Sequence, residues 1–263
     1  MNSETSYIPQ SRAFHASCPL VMGTRLDLLM VGTEPGPAEA LWQEALSWLG
    51  KMEKMLNRFD ENGETGRINS GKTTALSGEL QAVLEICAGY WLRTSGLFDV
   101  TRENFSALHW ECGSIDTKGM KLDFGGIGKG LALRYLKDLL ESRGVSSAYV
   151  DFGGSSILAM GRHPFGPCWK VSPVNPYTGE ALPEVDLSDC SLSTSGNTPS
   201  HTGHIVSPAD GKPCTSRRMV SVKCPDPLDG EVLSTALMIA REDQEPFLKG
   251  QFPLAEYTIY DNL

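Results

Sequence analysis

An α+β fold is the class this sequence predicts, and three observations predict it. Helical and strand-like patterns mix along the chain without strict alternation. The 263 residues are enough for a substantial buried core. The composition, 40% hydrophobic and 21% charged, is that of an ordinary globular protein.

The elements follow in order. Residues 1–20 are polar and irregular and read as a loose N-terminal arm; residues 21–263 read as one domain. "VMGTRLDLLMVG" (21–32) alternates as a strand does. "GPAEALWQEALSWLGKMEKMLNRF" (36–59) places Leu41, Ala45, Leu46, Leu49, Met52 and Leu56 at helical spacing, with Pro37 in the first turn. "DENGETGRINSGK" is a turn-rich polar loop. A second amphipathic helix follows over about 78–94, and "SGLFDVT" turns into a short extended segment. "LALRYLKDLLESRG" (131–144) is a helix that Gly144 caps. "SSAYVDFGGSSILAMG" is strand, glycine turn, strand, and "WKVSPVNP" is a further short strand. "LDGEVLSTALMIARE" (228–242) is a helix with Asp229 placed to cap it, and "AEYTIYD" closes the chain as a strand.

Charge and cysteine usage narrow the function classes. A net charge of −9 disfavours nucleic acid and anionic membranes as partners. It does not oppose a metal-assisted site, because a cation reverses the field locally. No apolar run is long enough to span a bilayer, so no membrane insertion is expected. "MNSETSYIPQSRAFHASCPLVMGT" lacks the basic and apolar regions of a secretory signal. Seven cysteines, with no C-x-x-C pair, fit reduced thiols in a cytoplasmic protein better than a disulfide framework or zinc site.

Four stretches carry polar chemistry. "LDFGGIGKG" (122–130) crowds glycines around Lys129. It departs from the P-loop, with Asp123 at the first glycine and Gly130 at the hydroxyl position. Its glycines and the helix that follows suit an anion, and they equally suit a tight turn with a solvated lysine. "SLSTSGNTPSHTGHIVSPADGKP" sets hydroxyls ahead of His204, a residue type suited to proton transfer or to a structural role. "LDGEVLSTAL" puts Glu231 and Thr235 on one helix face, a hard oxygen pair suited to Mg²⁺ or simply an acidic first turn. "GLFDVT" is open between turn chemistry and a site.

Taken together and in order, these pieces resemble the ApbE family of FAD:protein FMN transferases. The order is Met22-Gly23-Thr24, "NRFDENGETGRIN", "GLFDVT", "LDFGGIGKG", "VDFGGSSILAMG", "STSGN", "HIVSPADGKP" and "GEVLSTAL". The resemblance implies an ApbE-like α+β fold of two closely packed lobes with an FAD cleft between them. It implies Mg²⁺-dependent transfer of the FMN half of FAD to a Thr or Ser hydroxyl of a target flavoprotein, releasing AMP. Motif by motif, it puts Met22, Phe59, Leu97, Phe98, Asp99, Asp123, Lys129 and Ile205 at FAD contacts. It puts the Gly126 carbonyl, Glu231, Ser234 and Thr235 at the metal and His204 at FMN transfer. The chain has Glu231 and Arg134 where the family usually has Asp, and Phe59 where it has Tyr. A non-catalytic FAD-binding protein and an FAD pyrophosphatase yielding FMN and AMP are the alternatives.

Overall fold

The computed structural model describes residues 2–263. Strands β1 (Glu4–Ile8), β2 (Ala13–Val21) and β3 (Thr24–Val31) open the chain, followed by helices α1 (Pro35–Leu56), α2 (Glu64–Asn69) and α3 (Gly78–Arg93). The hairpin β4 (His109–Glu111) and β5 (Ser114–Asp116) precedes helix α4 (Gly128–Ser142). Strands β6 (Ala148–Phe152), β7 (Ser156–Met160), β8 (Trp169–Val171), β9 (Val185–Leu187), β10 (Cys190–Gly196) and β11 (Met219–Cys224) come next. Helices α5 (Pro227–Ile239) and α6 (Glu245–Gln251) and strand β12 (Glu256–Tyr260) close the chain.

Eight strands form one sheet in the order β1-β2-β3-β6-β7-β10-β11-β12. Every neighbouring pair is antiparallel, so the architecture is α+β. In β3, Leu26, Leu28 and Met30 face inward, on the period of two. They pack with Phe152, Trp42 and Leu49 of α1 and Leu133 of α4 into one core. A second core joins β11, α3, α5 and the 97–124 connection through Val222, Leu84, Leu233, Phe98 and Phe124. β7 is buried throughout, because β8 and β9 cover its other face with Trp169 and Leu187. That double burial is why its sequence is uniformly apolar or small.

Helices α4 and α5 cross closely at Gly130. A Cβ there would lie 3.0 Å from both Glu231 Cβ and Leu228 Cδ1. Arg134 ties the same pair together: its Nε donates to Asp226 Oδ1 at 3.0 Å, and Asp226 caps α5 by accepting from the Leu228 N–H. The cap is therefore Asp226; Asp229 instead pairs with Arg93 at 2.7 Å.

Other expectations need correction. Of the expected loose arm 1–20, the described residues are not loose: β1 and β2 extend the sheet, and Phe14, Ala16 and Cys18 are buried. Alanine, serine and cysteine carry little β signal of their own, so packing beneath α1 decides their place. The polar loop after residue 60 contains α2, held by distant partners: Asn69 Nδ2 donates to the Leu122 carbonyl and Ser77 N–H donates to Glu64. The helix expected over 131–144 begins at Gly128, which places Lys129 in its first turn. "CSLSTSG" and "MVSVKC" are the interior strands β10 and β11. "SGLFDVT" stays a turn rather than extending.

Candidate active site

A cleft of about 580 Å³ lies where the two cores meet. Met22, Phe59, Leu97, Phe98, Asp99 and Asp123 line it, as do Gly126, Lys129, His204, Ile205, Glu231 and Thr235. The structure thus brings together every residue the sequence put in the site except Ser234. Ser234 is buried behind the wall, its hydroxyl donating to the Glu231 carbonyl at 3.0 Å and paired with Ser195 Oγ at 2.8 Å.

The hairpin between β2 and β3 delivers Met22. Both turn residues have positive φ, +49° at Met22 and +82° at Gly23, as a two-residue type I′ turn requires. The Met22 side chain lies over the start of α4; a Cβ at Gly128 would meet its Cε at 3.0 Å.

Helices α4 and α5 build the charged floor. Lys129 Nζ donates to Glu231 Oε1 at 2.6 Å, and Ser156 Oγ donates to Oε2 at 2.7 Å. Glu231 is 7% exposed, so the carboxylate is desolvated and its partners are what make burial tolerable. Thr235 Oγ1 donates to the Glu231 carbonyl at 3.0 Å. A Cβ on Gly126 would lie 3.7 Å from Thr235 Oγ1, so the glycine-loop backbone and this hydroxyl are neighbours. Carboxylate, hydroxyl and carbonyl oxygens form a hard donor set that fits Mg²⁺. Among the described residues no three His, Cys, Asp or Glu side chains converge as a metal cluster. Such an ion would rest on one carboxylate and neutral oxygens, with coordination positions left for a substrate.

The cleft lining also holds a buried carboxylate between two arginines. Asp123 is 8% exposed; its Oδ1 accepts from the Gly125 N–H at 2.9 Å. Its Oδ2 pairs with Arg58 Nε at 3.2 Å and with Arg102 Nη2. These are charge contacts without hydrogen-bond alignment, since Oδ2 has no aligned donor. Arg102 has φ +59°, a left-handed conformation that costs a non-glycine residue about 1 kcal/mol or more. Asp99 supports the turn: its carboxylate accepts from Thr101 N–H and hydroxyl and from Phe105 N–H. Asp99 therefore lines the cleft with a carboxylate already engaged by the loop. Phe59 is 79% exposed beneath Arg58, whose guanidinium carbon sits 4.4 Å from the ring centre. This leaves an aromatic face open for stacking.

His204 stands on the remaining wall. Its Nδ1 lies 3.2 Å from the His201 carbonyl oxygen. A carbonyl only accepts, so Nδ1 carries the proton and the neutral ring keeps a free lone pair on Nε2. Burial, then His201, Arg102 and Lys129, hold His204 below the ordinary histidine value, against the opposing pull of the His201 carbonyl. A neutral imidazole facing a polar cleft is equipped to accept a proton.

Sequence reasoning gave no role to Arg58, Arg102, Ser156 and His201, and noted Ser195 only among the hydroxyls ahead of His204; all belong to this site or support it. Arg58 and Ser156 lie inside the quoted motifs "NRFDENGETGRIN" and "VDFGGSSILAMG", and Arg102 directly follows "GLFDVT"; those positions were the available signal. What the motifs do not show is the partner: Ser156 finds Glu231 across the fold.

Comparison with known proteins accords with this geometry. Residues 22–114 and 103–255 match the model of the ApbE family. The FAD:protein FMN transferase of Klebsiella pneumoniae is 27% identical over 154 residues, 55% of this chain and 44% of that protein. That of Treponema pallidum is 29% identical over 182 residues, 59% of this chain and 50% of that protein. The chain spans about half the length of the curated relatives it matches. The flavin transferase ApbE of Vibrio cholerae superposes with a TM-score of 0.81 at 18% identity, over 99% of this chain and 95% of that one. The flavinyl transferase ApbE of Pseudomonas stutzeri, in its apo form, gives 0.80 at 20% identity, over 99% and 92%. At such identities the likeness establishes the fold.

Proposed function

The chain belongs to the ApbE family, and from that premise we propose that it transfers the FMN half of FAD to a Thr or Ser hydroxyl of a target flavoprotein, releasing AMP. The names of its relatives support flavin transfer. The observation that carries the reading is one cleft uniting a free histidine nitrogen, the Lys129–Glu231 pair and an exposed aromatic face.

The acceptor oxygen attacks the phosphorus of the FMN phosphate. The bond from that phosphorus to the oxygen shared with the AMP phosphate breaks, and AMP leaves with the electron pair. His204 Nε2 takes the acceptor's proton. Lys129 offsets charge growing on the phosphate oxygens. Gly126, Glu231 and Thr235 would hold Mg²⁺, with Ser234 supporting that group from behind through the Glu231 carbonyl. When bound, the ion supplies charge neutralisation and orientation at the phosphates. Met22, Phe59, Leu97, Phe98 and Ile205 supply the apolar and stacking surface for FAD. The free cysteines suit a reducing compartment such as the cytoplasm. Among the described residues no helix is long and apolar enough to cross a membrane.

The test incubates the chain with FAD, Mg²⁺ and an FMN-accepting flavoprotein domain, then reads in-gel flavin fluorescence and AMP. Labelled target together with AMP is expected. AMP without label identifies a pyrophosphatase instead, and bound FAD without AMP identifies a binding protein.

A further inference from the structure

We propose that Arg58 and Arg102 form a two-guanidinium clamp for the pyrophosphate of the dinucleotide, an inference that rests on FAD being the substrate. The cleft lining carries three carboxylates, and each is already engaged inside the protein. Asp99 accepts from Thr101 and Phe105, Glu231 from Lys129 and Ser156, and Asp123 from Gly125 beside its two arginines. The unspent capacity is on the cationic side. Neither Arg58 nor Arg102 makes an aligned side-chain hydrogen bond among the described residues; both are in charge contact with Asp123 Oδ2, and Arg58 also lies over the Phe59 ring. Each is 34% exposed, and both line the cleft.

A lining whose carboxylates already have protein partners, beside two guanidinium groups that share a single carboxylate oxygen, fits an acceptor-rich anion. Guanidinium groups bind phosphate oxygens through paired N–H bonds. Burial of Asp123 keeps the two arginines together despite their like charge, and the turn at Arg102, with its N–H donating to the Asp99 carbonyl at 3.1 Å, aims one of them. Arg58, Arg102, Lys129 and His204 all line the same cleft.

The experiment measures binding of FAD and of riboflavin, which lacks the phosphates, by flavin fluorescence without Mg²⁺ or acceptor. Wild type, Arg58→Met, Arg102→Met and Arg102→Lys are compared. Each methionine variant is expected to weaken FAD binding about tenfold or more while leaving riboflavin binding unchanged. Arg102→Lys is expected to recover part of the loss, keeping the charge without the fork. Inorganic pyrophosphate is expected to displace FAD from wild type and less effectively from the variants. Unchanged FAD affinity, or an equal loss of riboflavin, overturns the clamp. Wild type that binds no FAD would instead overturn the functional reading beneath it.

Discussion

The two walls of the cleft are built on different principles. The helix wall, the first turns of α4 and α5, fixes charge by burial: the Lys129–Glu231 contact is 2.6 Å, Ser156 closes the other oxygen, and Gly130 lets the helices meet. The loop wall, residues 197–206, is held by backbone bonds, such as Cys214 N–H to the Ile205 carbonyl at 2.7 Å, and by one buried side chain. Asn197 donates to the Cys214 and Ser216 carbonyls at 2.9 Å and accepts from the Gly203 N–H at 3.0 Å. His204 is positioned there by a single backbone carbonyl. Fixed dipoles and charges are most effective when they need no reorganisation, which the helix wall provides. A proton acceptor must gain and release its proton, which a lightly held ring on a loop accommodates.

Substitutions break this division in order of expected effect. His204→Ala removes the only proton acceptor proposed for the loop wall and lowers flavin transfer about 10²–10⁴-fold with FAD binding retained; transfer at the wild-type rate would remove His204 from the mechanism. Glu231→Gln leaves Lys129 without its counter-ion and takes away the site's carboxylate ligand. Mg²⁺-dependent turnover should fall about 10²–10³-fold, and unchanged turnover would take Glu231 out of the site.

Stability separates the walls more gently. Gly130→Val drives a branched side chain into Leu228 and Glu231 and should cost about 1–3 kcal/mol, seen as a lower melting temperature. Ser200→Ala, on the exposed loop wall, should stay within about 0.5 kcal/mol of wild type. The smallest effect is on pH. The depressed value of His204 keeps the ring neutral below its ordinary 6.5, so the acid limb of the rate profile should fall under that pH, not above it. Arg102→Met removes one of the charges that depress it, so the limb should move upward; an unmoved limb would show that Arg102 does not act on His204.

Much of the site was legible because its residues sit in short ordered motifs. Lys129 and Asp123 share one nine-residue stretch, and Glu231 and Thr235 share one helix face. The strongly periodic elements α1, α3 and β3 were legible for a different reason: each shows one apolar face in its own residues. β10 has no such face. Ser191 and Ser193 are fully buried because α5 lies against them, with a Cβ at Gly230 only 3.2 Å from Ser193 Oγ. No window within β10 contains that helix.

By itself, then, the sequence pointed to the fold class and the main helices through local periodicity, and to about half of the cleft lining through the family resemblance of its ordered motifs, since periodicity and motif order are properties of neighbours in the chain. Only the tertiary structure decided the pairings. Lys129 meets Glu231 across 102 residues, and Ser156 meets Glu231 across 75. Asp123 gathers Arg58 from one connection and Arg102 from another. Tertiary structure likewise turned the expected loose arm into two strands of the sheet. The physical reason is the same in each case: burial removes water as a competing partner, and which groups lose their water together depends on chain packing that no short stretch encodes.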